Sequence, residues 1–299
     1  MNRKVIPFIG ESNFTKELNN LVHTLSSSIA SVLLVGEKGT GKRLFAQHLH
    51  IDASDDFGYL YEINCRSFSE AQITYAFDTV NKLVAYDQRI TLYVSHVDEL
   101  SFPLQEKFLK FIDAAYRNGL NLKLVCSVEK SLEEKVHDGT FSADLYFKLN
   151  AIVLNMLPLS QRREDIIPIA EEYLSSFARK SGIKFTGFTE DCKHRMLNNK
   201  WVGNIDQLIN GIQRAFIVGK PPLIKTTDLG ISQIESFFVA FEDILENKSL
   251  KVAIDTFKKE YVTRILEEND WNQTKAAKEL EIQRTYVIRL MNELDIRKK

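Results

Sequence analysis

The chain has 299 residues, 44% hydrophobic and 26% charged, which is the composition of a globular protein of about two domains rather than of a disordered one. Its 39 Lys and Arg residues and 40 Asp and Glu residues give a net charge of −1, so any nucleic-acid binding must depend on a local patch. Cys65, Cys126 and Cys192 are widely spaced, which excludes a disulfide framework and a paired-cysteine zinc site and favours a reducing compartment.

The N-terminus contains no apolar stretch of signal-peptide length. The best apolar run, Ile29 to Val35, is too short to span a membrane. We therefore expect a cytoplasmic protein with no membrane partner.

Helix-like and strand-like segments alternate through the first half of the chain. Apolar residues at helical spacing predict a helix over 14–25, and short β-branched runs predict strands. The strands are expected at 31–35, 59–64, 91–94, 122–127 and 151–154, with further helices at 44–50, within 70–86 and at 104–116. This alternation predicts an α/β fold with an open parallel sheet and helices on both faces.

The strand signals stop after residue 154, and residues 164–218 have helical periodicity alone. Pro221 and Pro222 then interrupt the pattern, because a proline pair cannot continue a helix. Residues 223–248 form an ambiguous connection, and residues 249–299 are again helical and rich in charge. The sequence thus predicts an α/β module, a small helical module and a helical tail.

A glycine-rich loop follows the first predicted strand and opens the next helix. It fits the pattern G-x-x-x-x-G-K and consists of Gly36, Glu37, Lys38, Gly39, Thr40, Gly41 and Lys42. Backbone N–H groups of such a loop surround phosphate oxygens, and its lysine reaches the terminal phosphates. The strand–loop–helix context favours a phosphate site over a plain glycine turn. The next residue, commonly a Ser or Thr that binds magnesium, is Arg43, a cation that would partly replace the metal.

Several motifs, in order, resemble the bacterial enhancer-binding proteins, the NtrC-like AAA+ activators of sigma-54 RNA polymerase. Besides the loop, they are FIGES at 8–12, the stretch 91–109, DLYFKLN at 144–150, the stretch 157–166 and WVGNI at 201–205. The resemblance implies an AAA+ P-loop parallel sheet, an all-α lid and a C-terminal Fis-type helix-turn-helix. It also implies that ATP or ADP binds at residues 36–43, with Ile9 and Gly10 near the adenine.

The resemblance also divides the chain. The AAA+ α/β subdomain would cover 1–158, the helical lid 159–218, a linker 219–248 and the DNA-binding domain 249–299. Because the chain opens directly on the AAA+ module, we expect no receiver or sensor domain.

The departures from the family pattern lie on the residues that hydrolyse ATP. Ser95 and His96 replace the Asp-Glu pair that organises magnesium and the attacking water, and neither supplies the charged oxygen that a hard cation prefers. The polar sensor, two arginines and the lid arginine are replaced by Glu129, Ser142, Lys148 and Asp206. We therefore expect no catalytic residue and no metal site. The protein would be a pseudo-ATPase that binds ATP or ADP without magnesium.

The loop with which this family contacts sigma-54, GAFTGA, has no counterpart. Residues 66–90, where it would lie, contain no glycine. The sequence therefore predicts that the sigma-54 contact surface is absent.

The tail resembles the family's Fis-type domain, with helices predicted at 250–268, 272–280 and 283–291. Residues 271–299 contain seven Lys and Arg residues and four Asp and Glu residues, a local charge of +3, which is the patch that DNA binding needs. The expected DNA contacts are Lys275 and Lys278 near phosphate and Gln283, Arg284, Thr285, Tyr286 and Arg289 in the major groove. Glu281 stands at the family's turn glycine.

These patterns favour a sequence-specific DNA-binding transcriptional regulator that acts as a homodimer or higher oligomer on double-stranded DNA. Residues 250–266 would supply apolar faces for the pairing of two chains. Two alternatives remain open: an ATP-dependent activator of sigma-54 RNA polymerase, or a scaffold that modulates an intact AAA+ family member.

Overall fold

The computed structural model describes residues 8–53, 58–84, 89–118, 121–230 and 271–294, together with residues 255, 258, 259, 261–263, 265, 266, 269 and 296. The chain forms two compact units, residues 1–230 and residues 231–299.

A five-stranded sheet forms the centre of the first unit. Its strands are β1 (Val32–Val35), β2 (Tyr59–Asn64), β3 (Ile90–Ser95), β4 (Leu122–Val128) and β5 (Ile152–Asn155). Their spatial order is β2-β3-β4-β1-β5, and every neighbouring pair is parallel. Every residue of β4 is buried, as expected for a strand covered on both faces. The predicted parallel α/β sheet is confirmed.

Helices cover both faces of this sheet. They are α1 (Asn13–Ser26), α2 (Lys42–Ala53), α3 (Glu70–Val84), α4 (Phe102–Arg117), α5 (Glu133–His137) and α6 (Ala143–Leu149). One apolar core joins the sheet to α3, α4 and α6 and contains Phe77, Phe108 and Leu145. A second joins the other face to α1 and α2 and contains Leu18 and Phe45.

The parallel arrangement brings the carboxyl ends of the strands to one edge. The N–H of Gly36, directly after β1, donates to the Val128 carbonyl at the end of β4 (3.2 Å), and the N–H of Cys65 donates to the Ser95 carbonyl (3.0 Å). Ligands of open α/β sheets bind at this edge. The glycine-rich loop therefore lies where a phosphate site is expected.

The remainder of the first unit is the lid, with α7 (Ile166–Ser181), α8 (Glu190–Asn198) and α9 (Asn204–Val218). The helical character is as predicted, with the addition of a two-residue parallel pair, β6 (Gly187–Phe188) and β7 (Leu223–Ile224). Residues 219–230, which the sequence assigned to a linker, thus contribute a strand to this pair. Ile224 and Leu229 are fully buried, which attaches this segment to the lid, whereas residues 231–248 of the predicted linker lie outside the described residues.

The second unit contains α10 (Gln273–Glu279) and α11 (Arg284–Glu293). Asn272 caps α10, as predicted, because its side-chain oxygen accepts from the Thr274 and Lys275 N–H groups (3.1 and 3.2 Å). The turn between the helices has the Schellman pattern. In it the Ile282 N–H donates to the Ala277 carbonyl at 3.0 Å and the Glu281 N–H to the Lys278 carbonyl at 3.3 Å.

The apolar residues of the preceding segment correct one expectation. Val262, Ile265 and Leu266 are buried in one cluster with Ala276, Ala277, Val287 and Leu290. They stabilise the helix-turn-helix of their own chain and are not a pairing face. The rest of the predicted pairing helix lies largely outside the described residues.

Candidate functional site

The carbonyl groups of the glycine-rich loop are each held by a hydrogen-bond donor. Lys42 Nζ donates to the Gly36 and Glu37 carbonyls at 2.5 and 2.7 Å. The next three carbonyls, those of residues 38, 39 and 40, accept from the Asn204 side chain, the Ile205 N–H and the Arg162 guanidinium at 2.9, 2.9 and 2.7 Å. Within the described chain, the N–H groups of residues 39–42 have no protein acceptor. These are the donors that a phosphate requires.

Lys42 lies among carboxylates. Burial lowers the pKa of its ammonium group, and the charges of Glu129, Asp206 and Glu37 oppose this shift. Glu129 directly follows β4, whose last residue accepts from the Gly36 N–H. Asp206 lies in the first turn of α9, and its Cβ is 3.3 Å from the point where a Cβ on Gly39 would lie.

Asn204 joins the lid to the loop. It is fully buried, its Nδ2 donates to a Glu37 carboxylate oxygen at 3.0 Å, and its Oδ1 accepts from the Leu159 N–H at 2.7 Å. The backbones of the lid and the loop lie so close together that a Cβ on Gly39 would lie 2.2 Å from the Gly203 carbonyl oxygen. The WVGNI motif flagged this segment, but its sequence alone did not reveal the bonds of Asn204.

A second connection between the lid and the rest of the first unit starts from residues 162–166, within the family-like stretch 157–166. Arg162 is buried, and its guanidinium carbon lies 5.2 Å from the centre of the Phe14 ring. Asp165 is fully buried and accepts from the Ser12 N–H and hydroxyl, both at 2.8 Å, and from the Thr15 hydroxyl at 2.6 Å. These bonds tie the segment before α1 to the lid.

The two residues expected near the adenine lie in that segment. Ile9 and Gly10 are half-buried, and a Cβ on Gly10 would lie 2.2 Å from an Asp165 carboxylate oxygen. Only glycine allows so close an approach. Next to them, the Phe8 ring stacks on His48 with a centroid distance of 4.4 Å.

The residues at the expected magnesium position do not fit the ion. Arg43 occupies the place of the metal-binding hydroxyl, and its Nη2 lies 2.6 Å from the Glu62 carboxylate. Because the Arg43 guanidinium is paired with Glu62, the structure does not support the expectation that Arg43 partly replaces magnesium. Ser95 donates its hydroxyl to the Ile63 carbonyl at 3.3 Å, and no group of three or more metal-binding side chains occurs among the described residues.

His96, at the position where the resemblance implies the second carboxylate of the hydrolytic pair, has a strained backbone. His96 has φ 55°, a left-handed conformation that is unfavourable for a residue with a side chain. Its Nδ1 lies 3.7 Å from Glu129, and burial, followed by the charge of Arg66, lowers its pKa. Arg66 in turn bridges Glu99 and Glu129 at 3.0 and 3.1 Å. Glu99 and Glu129 are therefore both engaged by Arg66 and are not free to bind a metal or orient a water.

The two positions expected to carry arginine have structural contacts instead. Ser142 caps α6 and accepts from the Leu145 N–H at 3.4 Å. Lys148 forms an ion pair with Asp113 of α4 at 2.8 Å.

The predicted DNA contacts are all exposed on the second unit. These residues are Lys275, Lys278, Gln283, Arg284, Thr285, Tyr286 and Arg289. Lys275 and Lys278 lie on α10. Gln283 is the N-cap of α11 and Arg284 its first residue, so the five residues expected in the major groove lie at the start and along the length of the second helix. Arg289 Nε also forms a 2.7 Å ion pair with Glu293, which reduces its availability.

Three family matches together span most of the chain. Residues 9–159 match the sigma-54 interaction domain, residues 160–236 the AAA+ ATPase lid domain, and residues 253–294 the Fis family of bacterial regulatory proteins. The chain belongs to the sigma-54 interaction domain family. Its two units correspond to an AAA+ unit with its lid and a Fis-type helix-turn-helix.

Relatives in this family are similar over almost the whole chain. The transcriptional regulatory protein ZraR of Salmonella typhi is 30% identical over 92% of this chain, and the response regulator protein PilR of Pseudomonas aeruginosa is 28% identical over 91%. In both cases the match covers 66% of the relative, so the chain spans just under two thirds of their length.

Solved structures agree on the fold. NtrX from Brucella abortus, crystallised in complex with ATP, aligns with 99% of this chain and 71% of its own, with a TM-score of 0.64 and 20% identity. The Thermotoga maritima RuvB branch migration motor aligns with 93% of this chain and 84% of its own, with a TM-score of 0.51 and 15% identity. Among the described residues, no helix has the length and apolarity needed to cross a membrane.

Proposed function

We propose that the chain is a sequence-specific DNA-binding transcriptional regulator whose AAA+ unit binds ATP or ADP without hydrolysing it. The DNA-binding part rests on one observation: the cationic side chains of the helix-turn-helix lie exposed on an element held by its own apolar core. A second helix that presents its N-terminal residues is the arrangement that reads a major groove.

Double-stranded DNA is the proposed partner, and two chains would bind one site. One short reading helix buries too little surface for tight specific binding. Two symmetric copies would double the contact and favour a two-fold symmetric site.

The test is a binding titration on a selected DNA site at several salt concentrations. Arg284→Ala should weaken specific binding by about 1–3 kcal/mol and relax preference at one base position, because bidentate contacts of arginine to guanine discriminate by this amount. Lys278→Ala should weaken binding to all sequences alike and reduce the salt slope by about one unit, because it removes one phosphate contact.

Lys180→Ala is the matched control, because Lys180 is an exposed lysine of the lid helix α7. It should bind DNA as the unchanged protein does. Unaltered specific binding by both tail variants would contradict the proposal, because the reading surface would then lie elsewhere.

Nucleotide binding is supported by the loop geometry. The N–H groups of residues 39–42 lack protein acceptors among the described residues, while the loop carbonyls are already paired. Residues 36–42 would hold the phosphates, and residues 8–10 would lie toward the base. The missing hydrolysis is supported by Ser95, His96, Ser142 and Asp206, none of which supplies the charge that the corresponding reaction step needs. Lys148 supports it differently, because its ammonium group is paired with Asp113.

A second candidate is an ATP-dependent activator of sigma-54 RNA polymerase, which membership of the sigma-54 interaction family favours. The region that would carry the polymerase loop argues against it. Only residues 65–69 separate β2 from α3, and residues 66–90 contain no glycine. ATP turnover separates the two candidates.

A further inference from the structure

We infer that the nucleotide site selects nucleoside diphosphates over triphosphates and holds them without magnesium. This inference rests on the proposed nucleotide binding and specifies which phosphate chain the site accepts.

Negative side chains lie where the end of a phosphate chain would be. In a loop of this kind the backbone N–H groups hold the inner phosphates, and the lysine reaches toward the terminal one. Asp206 lies against the loop, with its Cβ 3.3 Å from the point where a Cβ on Gly39 would lie. The Glu37 carboxylate is held beside the loop by Asn204 Nδ2 at 3.0 Å, and Glu129 follows the strand end that accepts from the Gly36 N–H. A third phosphate would bring its negative charge toward these groups, whereas a diphosphate ends before them.

The arginines that could offset this repulsion are engaged with other groups. Arg43 is paired with Glu62, and Arg66 is shared between Glu99 and Glu129. Arg162 is bonded to the Thr40 carbonyl. Arg43 and Arg66 are thus neutralised by carboxylates and Arg162 is buried, while Asp206 forms no ion pair with any described residue.

Magnesium would also offset this charge, but the site lacks suitable ligands for it. The ion normally bridges the β- and γ-phosphates and neutralises their charge. It needs oxygen ligands from the protein or water in octahedral geometry, but the positions expected to supply its protein ligands carry Arg43 and Ser95. Without the ion, and with these arginines engaged elsewhere, the extra charge of a triphosphate is less well compensated than in a site that holds magnesium.

The test measures the binding of ADP and ATP to the full chain by calorimetry, once with EDTA and once with excess magnesium. ADP should bind at least about tenfold more tightly than ATP, and magnesium should change this ratio by less than about twofold. Asp206→Asn combined with Glu129→Gln should raise ATP affinity at least about fivefold more than ADP affinity, because both substitutions remove charge and keep shape.

Asp191→Asn is the control, because Asp191 is an exposed carboxylate in the lid helix α8, and it should leave the ratio unchanged. Equal affinities for ADP and ATP, or a double variant that strengthens both equally, would overturn the selectivity and leave nucleotide binding intact. Binding of neither nucleotide would overturn the inference together with proposed nucleotide binding, whereas DNA binding by the tail is measured separately and would be unaffected.

Discussion

At the residue scale, Asn204 joins the lid to the glycine-rich loop through several side-chain hydrogen bonds. It is fully buried with φ 53°, and its side chain bonds the Glu37 carboxylate, the Lys38 carbonyl and the Leu159 N–H. Asn is among the few residues that tolerate this left-handed backbone. Its amide offers both the donor and the acceptor that the site requires.

Asn204→Ala should lower the free energy of unfolding of the AAA+ unit by about 3 kcal/mol. The substitution leaves a buried N–H and a buried carbonyl without partners, and each costs about 1–3 kcal/mol. Denaturant melts of the two proteins measure the difference. Asn198→Ala, at an exposed position of α8, should change stability by less than about 0.5 kcal/mol. A similar small effect at Asn204 would mean that the lid does not stabilise the loop.

At the scale of elements, the turn between α10 and α11 retains the geometry of a glycine turn with a different residue. Glu281 has φ 54° and is exposed, and the turn keeps both Schellman hydrogen bonds. The sequence showed a missing glycine but not that the backbone would keep the left-handed conformation. The apolar contacts of the two helices with Val262, Ile265 and Leu266 hold the turn in place.

Glu281→Gly should therefore raise the stability of the helix-turn-helix by about 0.5–1 kcal/mol. Glycine removes a left-handed strain of about 1–2 kcal/mol and loses part of the gain through the greater freedom of its unfolded chain. The melting transition of the second unit measures the effect. Ile288→Gly, at an exposed position in the middle of α11, is the contrasting variant, and it should destabilise by about 0.5–1 kcal/mol. Destabilisation by both would exclude strain at Glu281.

At the scale of the whole molecule, the sequence predicted the architecture because each strand and helix carried its own apolar period. The buried run of β4 and the helices on both faces followed from patterns local to each segment. The contacts that assemble the site were not local. Asp165 bonds Ser12 across 153 positions, and Asn204 bonds Glu37 across 167, distances over which a single sequence carries no pairing signal. The burial of Leu229 was not predicted either, because the proline pair at 221–222 indicated the end of the helical module.

The same non-local arrangement leads to the last prediction, that ATP turnover with excess magnesium stays at background. Hydrolysis needs a metal, an oriented water and positive charge at the terminal phosphate, and loss of an arginine finger alone lowers the rate by about 10³–10⁵. Here Ser95 and His96 at the end of β3 and Asp206 in the lid helix α9 occupy the corresponding positions, and Lys148 is paired with Asp113. Phosphate release by the unchanged protein should equal that of Lys42→Ala, which removes the loop lysine and serves as the matched baseline. Turnover that Lys42→Ala abolishes would establish an ATPase that works with unorthodox residues, and it would favour the polymerase activator over the non-hydrolysing regulator.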